Sequence, residues 1–119
     1  LGRNFAALAN AQVTHICDVN QSLLAPYARE IESVQKSSPR PLTDLRRALD
    51  DPSVDAIVVA TPDHWHALAT IWGCQAGKHV YVEKPISNNV HEGRQMIAAA
   101  RKHHRVVQVG TQSRSAPHY

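Results

Sequence analysis

The sequence predicts an α/β fold, a doubly wound parallel sheet with helices on both faces, and three observations carry that prediction. Short runs rich in β-branched residues alternate with amphipathic helical stripes along the chain, the order that right-handed βαβ crossovers require. One of those runs, Val54 to Ala60, is apolar at nearly every position. Such a strand is expected to be buried on both faces, between two helix layers. The composition is that of an ordinary globular domain, 43% apolar and 19% charged, which excludes a disordered chain. A length of 119 residues fits one domain, residues 1–119, with room for a core.

Taken in order, the chain opens inside an expected helix, Arg3 to Asn10. Gln12 to Cys17 is short and β-branched and reads as a strand, closed by Asp18, Val19 and Asn20. Leu24, Tyr27, Ile31 and Val34 then recur at helical spacing. Pro26, tolerated only in a first turn, places the start of that helix near Leu23. Ser37 to Pro41 holds two serines and two prolines and reads as a loop. Leu42, Leu45 and Leu49 mark a short helix with Thr43 as its candidate cap, ended by Asp51 and Pro52. After the strand Val54 to Ala60, Thr61 and Pro62 supply a cap and a first-turn proline. Trp65, Leu68, Ile71, Trp72 and Cys74 form the expected inward stripe, with Gly77 as a left-handed cap. Lys78 to Val82 is a strand that runs into Glu83, Lys84 and Pro85. Asn88 or Asn89 caps a helix to about His104, with Glu92 in capping-box position and Val90, Ile97 and Ala100 inward. Arg105 to Val109 is the last strand, and Gly110 to Tyr119 an open tail.

A dinucleotide-binding unit opens with a strand, a G-x-G-x-x-G turn and a helix whose N-terminus holds the pyrophosphate; a ribose-binding acid follows about 20 residues later. Here Asp18 already stands where that acid is expected, and Gly2 alone makes no phosphate loop. The expectation is a sheet lacking its first, central strand and its glycine-rich turn. Such a chain, if it were the whole protein, would be poorly stable and would bind a cofactor weakly.

A net charge of +3 invites a nucleic-acid reading. The bases, however, are scattered from Arg3 to Arg105 and fall mostly on the polar faces of expected helices, which argues against it. No apolar run approaches the ~18 residues of a membrane span, and the visible N-terminus lacks the basic-then-apolar pattern of a signal peptide. Cys17 and Cys74 have no C-x-x-C spacing and read as buried free thiols in a reducing compartment.

The candidate chemistry lies at strand ends. Asp18 has two readings: it accepts both ribose hydroxyls of NAD and repels the extra phosphate of NADP, or it is a solvated aspartate that caps the next helix. The strand–helix context favours the first. The backbone of Thr61 and Pro62 is placed to lie against a nicotinamide ribose, with His66 projecting from the first helical turn. His64 and His66, two residues apart, point to different sides of a helix and lack further ligands, so no metal is expected. Trp65 and Trp72 read as core. Glu83-Lys84-Pro85 is the sharpest feature. A free lysine has a pKa near ~10.4 and is a poor base at neutral pH. Partial burial and the positive charge of an oxidised nicotinamide would lower it, fitting Lys84 to relay a substrate hydroxyl proton. By itself the tripeptide also reads as a surface Glu–Lys pair worth under ~1 kcal/mol.

Together, Cys17 to Val19, Val59 to His66, Ala76 to Pro85 and Val109 to Ser115 resemble, in order and separation, the N-terminal domain of the Gfo/Idh/MocA family (glucose–fructose oxidoreductase, inositol dehydrogenase, MocA). The match runs from about residue 3 to 119; the A-G-K-H-V-x-x-E-K-P string is its most specific part, supported by the T-P-x-x-x-H spacing. The resemblance implies a Rossmann-type domain of an NAD-dependent oxidoreductase, NADP being the alternative cofactor, that acts on hydroxyls of sugars, cyclitols and related polyols. It implies Lys84 as the catalytic lysine, often with a cis bond before Pro85. It implies Asp18 as the ribose-binding acid and Thr61, Pro62, His66, Glu83, Lys84, Pro85, Gln112 and Arg114 as cofactor-contacting positions. A second domain with an antiparallel sheet would supply substrate contacts and the main acid–base pair, so this stretch alone is expected to be inactive. The parent is expected to be a homo-oligomer with a small-molecule substrate and neither a nucleic-acid nor a membrane partner. It is expected in the cytoplasm; the D-H-W-H and G-T-Q-x-R-S variants also fit a branch exported by a twin-arginine signal to the periplasm. Two rivals stand beside this reading: a redox-assisted NAD-dependent glycosidase of the same fold, against which the retained Glu-Lys-Pro argues because its lysine position is expected to diverge, and a non-catalytic dinucleotide sensor.

Overall fold

Two sheets, each with parallel strands only, organise the computed structural model, which describes residues 1–117. His118 and Tyr119, the end of the expected tail, lie outside the described residues. The chain divides into two compact units, residues 1–54 and 55–119. The architecture is α/β, as predicted. In place of one sheet there are two, of two and three strands, with no strand pairing between them among the described residues.

The first unit contains α1 (Gly2–Ala6), β1 (His15–Cys17), α2 (Gln21–Gln35), β2 (Arg40–Leu42) and α3 (Arg46–Leu49). Strand β1 is shorter than the sequence suggests because the Gln35 side chain occupies its approach. The amide of Gln35 accepts from the Val13 N–H and donates to the Val13 carbonyl, both at 2.9 Å. Helix α2 starts at Gln21 rather than near Leu23, since Asn20 caps it by accepting from the Ser22 N–H at 3.1 Å. Pro26 therefore sits inside the helix, just beyond the first turn. Of the expected stripe, Leu24 and Ile31 are buried while Tyr27 is exposed.

The segment read as a loop contains β2, which pairs Ile16 with Pro41. A proline is compatible with this edge strand because the β1-facing bonds use the neighbours: the Arg40 N–H donates to the Thr14 carbonyl and the Asp18 N–H to that of Leu42. Leu42 thus belongs to the strand and not to the third helix, and Asp44, not Thr43, binds the first helical N–H at Arg46.

The second unit is β3 (Ala56–Val59), α4 (His66–Gln75), β4 (His79–Glu83), α5 (Val90–Lys102) and β5 (Val107–Gly110), with short 3₁₀ turns at Asp63–Trp65 and Gln112–Ser115. All three strands are parallel, and the register pairs Val59 with Val82 and Glu83 with Gly110. Their carboxyl ends therefore share one edge. Val59, Val80 and Val82 are buried, but Ala56 and Val58 are exposed, so β3 is not covered on both faces as its composition suggests. Thr61 caps nothing; Pro62 precedes the 3₁₀ turn, and the α-helix begins at His66.

The inward face of α4 is His66, Ala67, Ala69, Thr70, Gly73 and Cys74, small residues for the most part, whereas Trp65 and Leu68 are exposed. Of the expected inward stripe Cys74 is buried, Ile71 and Trp72 are half-buried, and Trp65 and Leu68 are displaced from the buried face. The Gly77 cap is as predicted, with a φ of 77° and the Lys78 N–H reaching the Gly73 carbonyl. Asn89 caps α5 by accepting from the Glu92 N–H at 2.9 Å, and Glu92 returns a bond to the Asn88 N–H. Met96 and Ala99 are buried there, and Val90 and Ile97 exposed, so the inward phase differs by one position from the expected one.

Candidate functional site

The carboxyl edge of the β3–β4–β5 sheet gathers three segments because parallel strands deliver their ends to the same side. These are Thr61-Pro62, Glu83-Lys84-Pro85, and Thr111 to Arg114. Glu83 is the last residue of β4 and half-buried. Its Oε1 accepts from Gln112 Nε2 at 3.2 Å and its Oε2 from the Lys84 main-chain N–H at 3.2 Å. The Tyr81 hydroxyl donates to Gln112 Oε1 at 3.4 Å. Glu83 thus binds the backbone of Lys84 rather than forming the surface Glu–Lys pair that the tripeptide suggests.

Lys84 itself is exposed, so the partial burial expected of it is not present, and the bond to Pro85 is cis. Thr61, Pro62, Pro85 and Arg114 are exposed at the same edge, Arg114 on the 3₁₀ turn. His66 departs from its expected placement. It does not project outward but is 1% exposed, with Nδ1 2.6 Å from the Pro85 carbonyl oxygen and Nε2 2.9 Å from that of Thr61. The imidazole links two of the three edge segments instead of offering a polar atom to a ligand.

In the first unit, Asp18 follows β1. Its Oδ1 accepts from the Asn20 N–H at 2.8 Å, so it does brace the start of α2, while Oδ2 is outside that bond. Cys17 is exposed rather than buried, whereas Cys74 is fully buried. Desolvation of the Cys17 sulfur, then the negative charges of Asp44 and Asp18, push its thiol up and keep it protonated. Among the described residues no group of three or more His, Cys, Asp or Glu is placed to hold a metal ion.

Tyr81 and Gly110 are the site residues that sequence reading missed. Tyr81 and Glu83 are two apart on one strand and share a face, a period-2 signal that was legible. The role of Gly110 required the strand register. Asp18 in the first unit and Glu83 in the second are each carboxylates at a strand end with lone-pair capacity left for a hydroxyl donor.

A family model described as oxidoreductase family, NAD-binding Rossmann fold, matches residues 2–111. An uncharacterized oxidoreductase, YrbE, of Bacillus subtilis is 31% identical over 98% of this chain and 33% of its own length. The levoglucosan dehydrogenase of Pseudarthrobacter phenanthrenivorans is 32% identical over 86% of this chain and 25% of its own. A glycosyl hydrolase family 109 protein of Shewanella is 30% identical over 82% and 22%. Among solved structures, the WlbA dehydrogenase of Bordetella pertussis in complex with NADH and UDP-GlcNAcA is 30% identical, with a TM-score of 0.80 over 95% of this chain and 32% of that one. The chain thus spans a third or less of the length of these relatives. By sequence and fold, it belongs to the Gfo/Idh/MocA oxidoreductase family and carries that family's NAD-binding Rossmann domain.

Proposed function

We propose that this chain is the nucleotide-binding part of an enzyme that oxidises or reduces a hydroxyl of a sugar, cyclitol or related polyol with NAD. The observation that carries the reading is the cluster at the sheet edge. Glu83, Gln112 and the Lys84 backbone are hydrogen-bonded together, His66 ties the Pro85 turn to Thr61, and the Lys84 side chain is left exposed. When bound, the nicotinamide supplies the hydride acceptor or donor. The residues of this chain hold and orient it: Asp18 and Glu83 accept ribose hydroxyls, and Thr61, Pro62, Pro85, Gln112 and Arg114 bound the nicotinamide end. The carboxylate of Asp18 favours NAD over NADP by charge repulsion of the extra phosphate.

Lys84 Nζ holds a proton at the substrate oxygen and stabilises negative charge there as the hydroxyl becomes a carbonyl. The main base and most substrate contacts come from outside residues 1–119. The likeness to relatives that act on carbohydrates supports the substrate class. Replacing Lys84 by Met in the intact protein is expected to leave NAD affinity within about twofold while lowering kcat by about 100-fold or more. Unchanged kcat and an unchanged pH–rate profile in that variant would refute the catalytic assignment, and unchanged cellular function with NAD binding intact would favour a sensor. A second reading, redox-assisted glycoside cleavage, is favoured by several Shewanella relatives, glycosyl hydrolase family 109 proteins and an alpha-N-acetylgalactosaminidase. Release of free sugar with no net NADH would select it.

A further inference from the structure

We infer that Gly110 is a positioning residue for the Glu83 carboxylate, and that Tyr81 and Gln112 complete the mount. The inference rests on the proposed reading of Glu83 as an acceptor for the dinucleotide. Gly110 is buried and lies opposite Glu83 in the β4–β5 ladder. A Cβ built there would fall 2.9 Å from Glu83 Oε1, 3.0 Å from Glu83 Cδ and 3.0 Å from the Tyr81 hydroxyl. The space that a side chain would fill is therefore occupied by the two polar groups themselves.

The glycine is not there for its backbone freedom, since Gly77 is the only glycine with positive φ among the described residues. The atoms nearest to such a methyl group are the far ends of two side chains, which can swing away. An alanine is thus accommodated by the fold and paid for by the site. With glycine present, the carboxylate settles against the strand, where Gln112 Nε2 holds Oε1 and the Lys84 N–H holds Oε2. The Tyr81 hydroxyl in turn orients the Gln112 amide through its Oε1. Each carboxylate oxygen has one donor and keeps capacity for another, an arrangement suited to a vicinal diol.

The test is a double-mutant cycle in the intact protein, read as the NAD dissociation constant by titration, with thermal unfolding alongside. Gly110→Ala is expected to weaken NAD binding about tenfold, the scale of one misplaced charge-assisted hydrogen bond, with an unchanged melting temperature. Gln112→Leu, on an exposed turn, is expected to weaken it several-fold and keeps the test valid should Gly110→Ala fold poorly. In a Glu83→Ala background Gly110→Ala should have no further effect, and Gln112→Leu only the smaller one of its own place at the nicotinamide end, because the group they position is gone. Wild-type affinity in Gly110→Ala and Gln112→Leu, with a weakened Glu83→Ala, overturns this inference and leaves the reading of Glu83 intact. An equal loss in both backgrounds also overturns it. If Glu83→Ala itself binds NAD as the wild type does, the underlying reading fails and the inference with it.

Discussion

His66 shows how much a single side chain can organise at this edge. Carbonyl oxygens only accept, and both ring nitrogens face one, so each contact is a hydrogen bond only when its nitrogen carries a proton. Whatever the tautomer, the buried ring is the bridge between the turn that bears Lys84 and the loop that bears Thr61. His66→Ala is expected to cost about 3 kcal/mol, since it leaves a cavity and removes the side chain that bridges the two segments. Asn and Gln variants divide the bridge, their amides reaching where Nδ1 and Nε2 stand respectively. His66→Asn should keep the tie to Pro85, and with it kcat, better than His66→Gln. Chemical denaturation and steady-state kinetics on the three variants check both statements. The T-P-x-x-x-H spacing made His66 visible in the sequence, but its burial and two carbonyl partners were not. They depend on the turn at Pro85, nineteen residues away, folding back onto α4.

At the scale of elements, the small inward face of α4 sets how closely the helix approaches β3 and β4. A Cβ on Gly73 would lie 2.8 Å from Cδ1 of the half-buried Ile57 and 3.0 Å from Cγ2 of the buried Val80. Gly73→Ala gains helix propensity yet must push the helix off the sheet. It is expected to destabilise by about 1–3 kcal/mol, measured by urea unfolding. This contrasts with Gly110, where the obstructing atoms are free to move and the penalty falls on binding.

The same close packing explains why the helical stripes were misjudged. Periodicity marked α4 and α5 correctly as helices. It ranked Trp65 and Leu68 above Ala69 and Gly73 for burial because it weighs hydrophobicity and not the distance between backbones. Strand β2 escaped notice for a related reason: Pro41 argues against a central strand, but on a strand bonded along one side only its missing N–H costs nothing.

For the whole molecule, parallel strands with intervening helices place every strand-end motif of the second unit at one edge, and chemistry follows from that placement. No helix among the described residues is long and apolar enough to cross a membrane. A dinucleotide that binds the native state alone raises stability by mass action. In the intact protein, NAD at about 100 times its dissociation constant should add ~2.7 kcal/mol, visible as a higher melting temperature. The Lys84→Met variant should retain that shift in full, because the lysine is assigned to proton handling rather than to affinity. Loss of the shift in Lys84→Met, measured by differential scanning calorimetry, would reassign the residue to binding.

Local chemistry, written in the sequence, determined the helices and every strand but β2, where Asn20, Gly77 and Asn89 end or begin them, and which residues stand at the ends of β1, β3, β4 and β5. The alternation of apolar runs and helical stripes is enough for an α/β chain, since neighbouring residues alone set those periods. Tertiary structure decided the rest: that the strands form two ladders, that His66 turns inward, and that Glu83 rests on a glycine with Gln112 and Tyr81 around it. Those outcomes depend on register and on the gap between a helix and a sheet. Both arise from contacts between residues far apart in the chain, which no local pattern encodes.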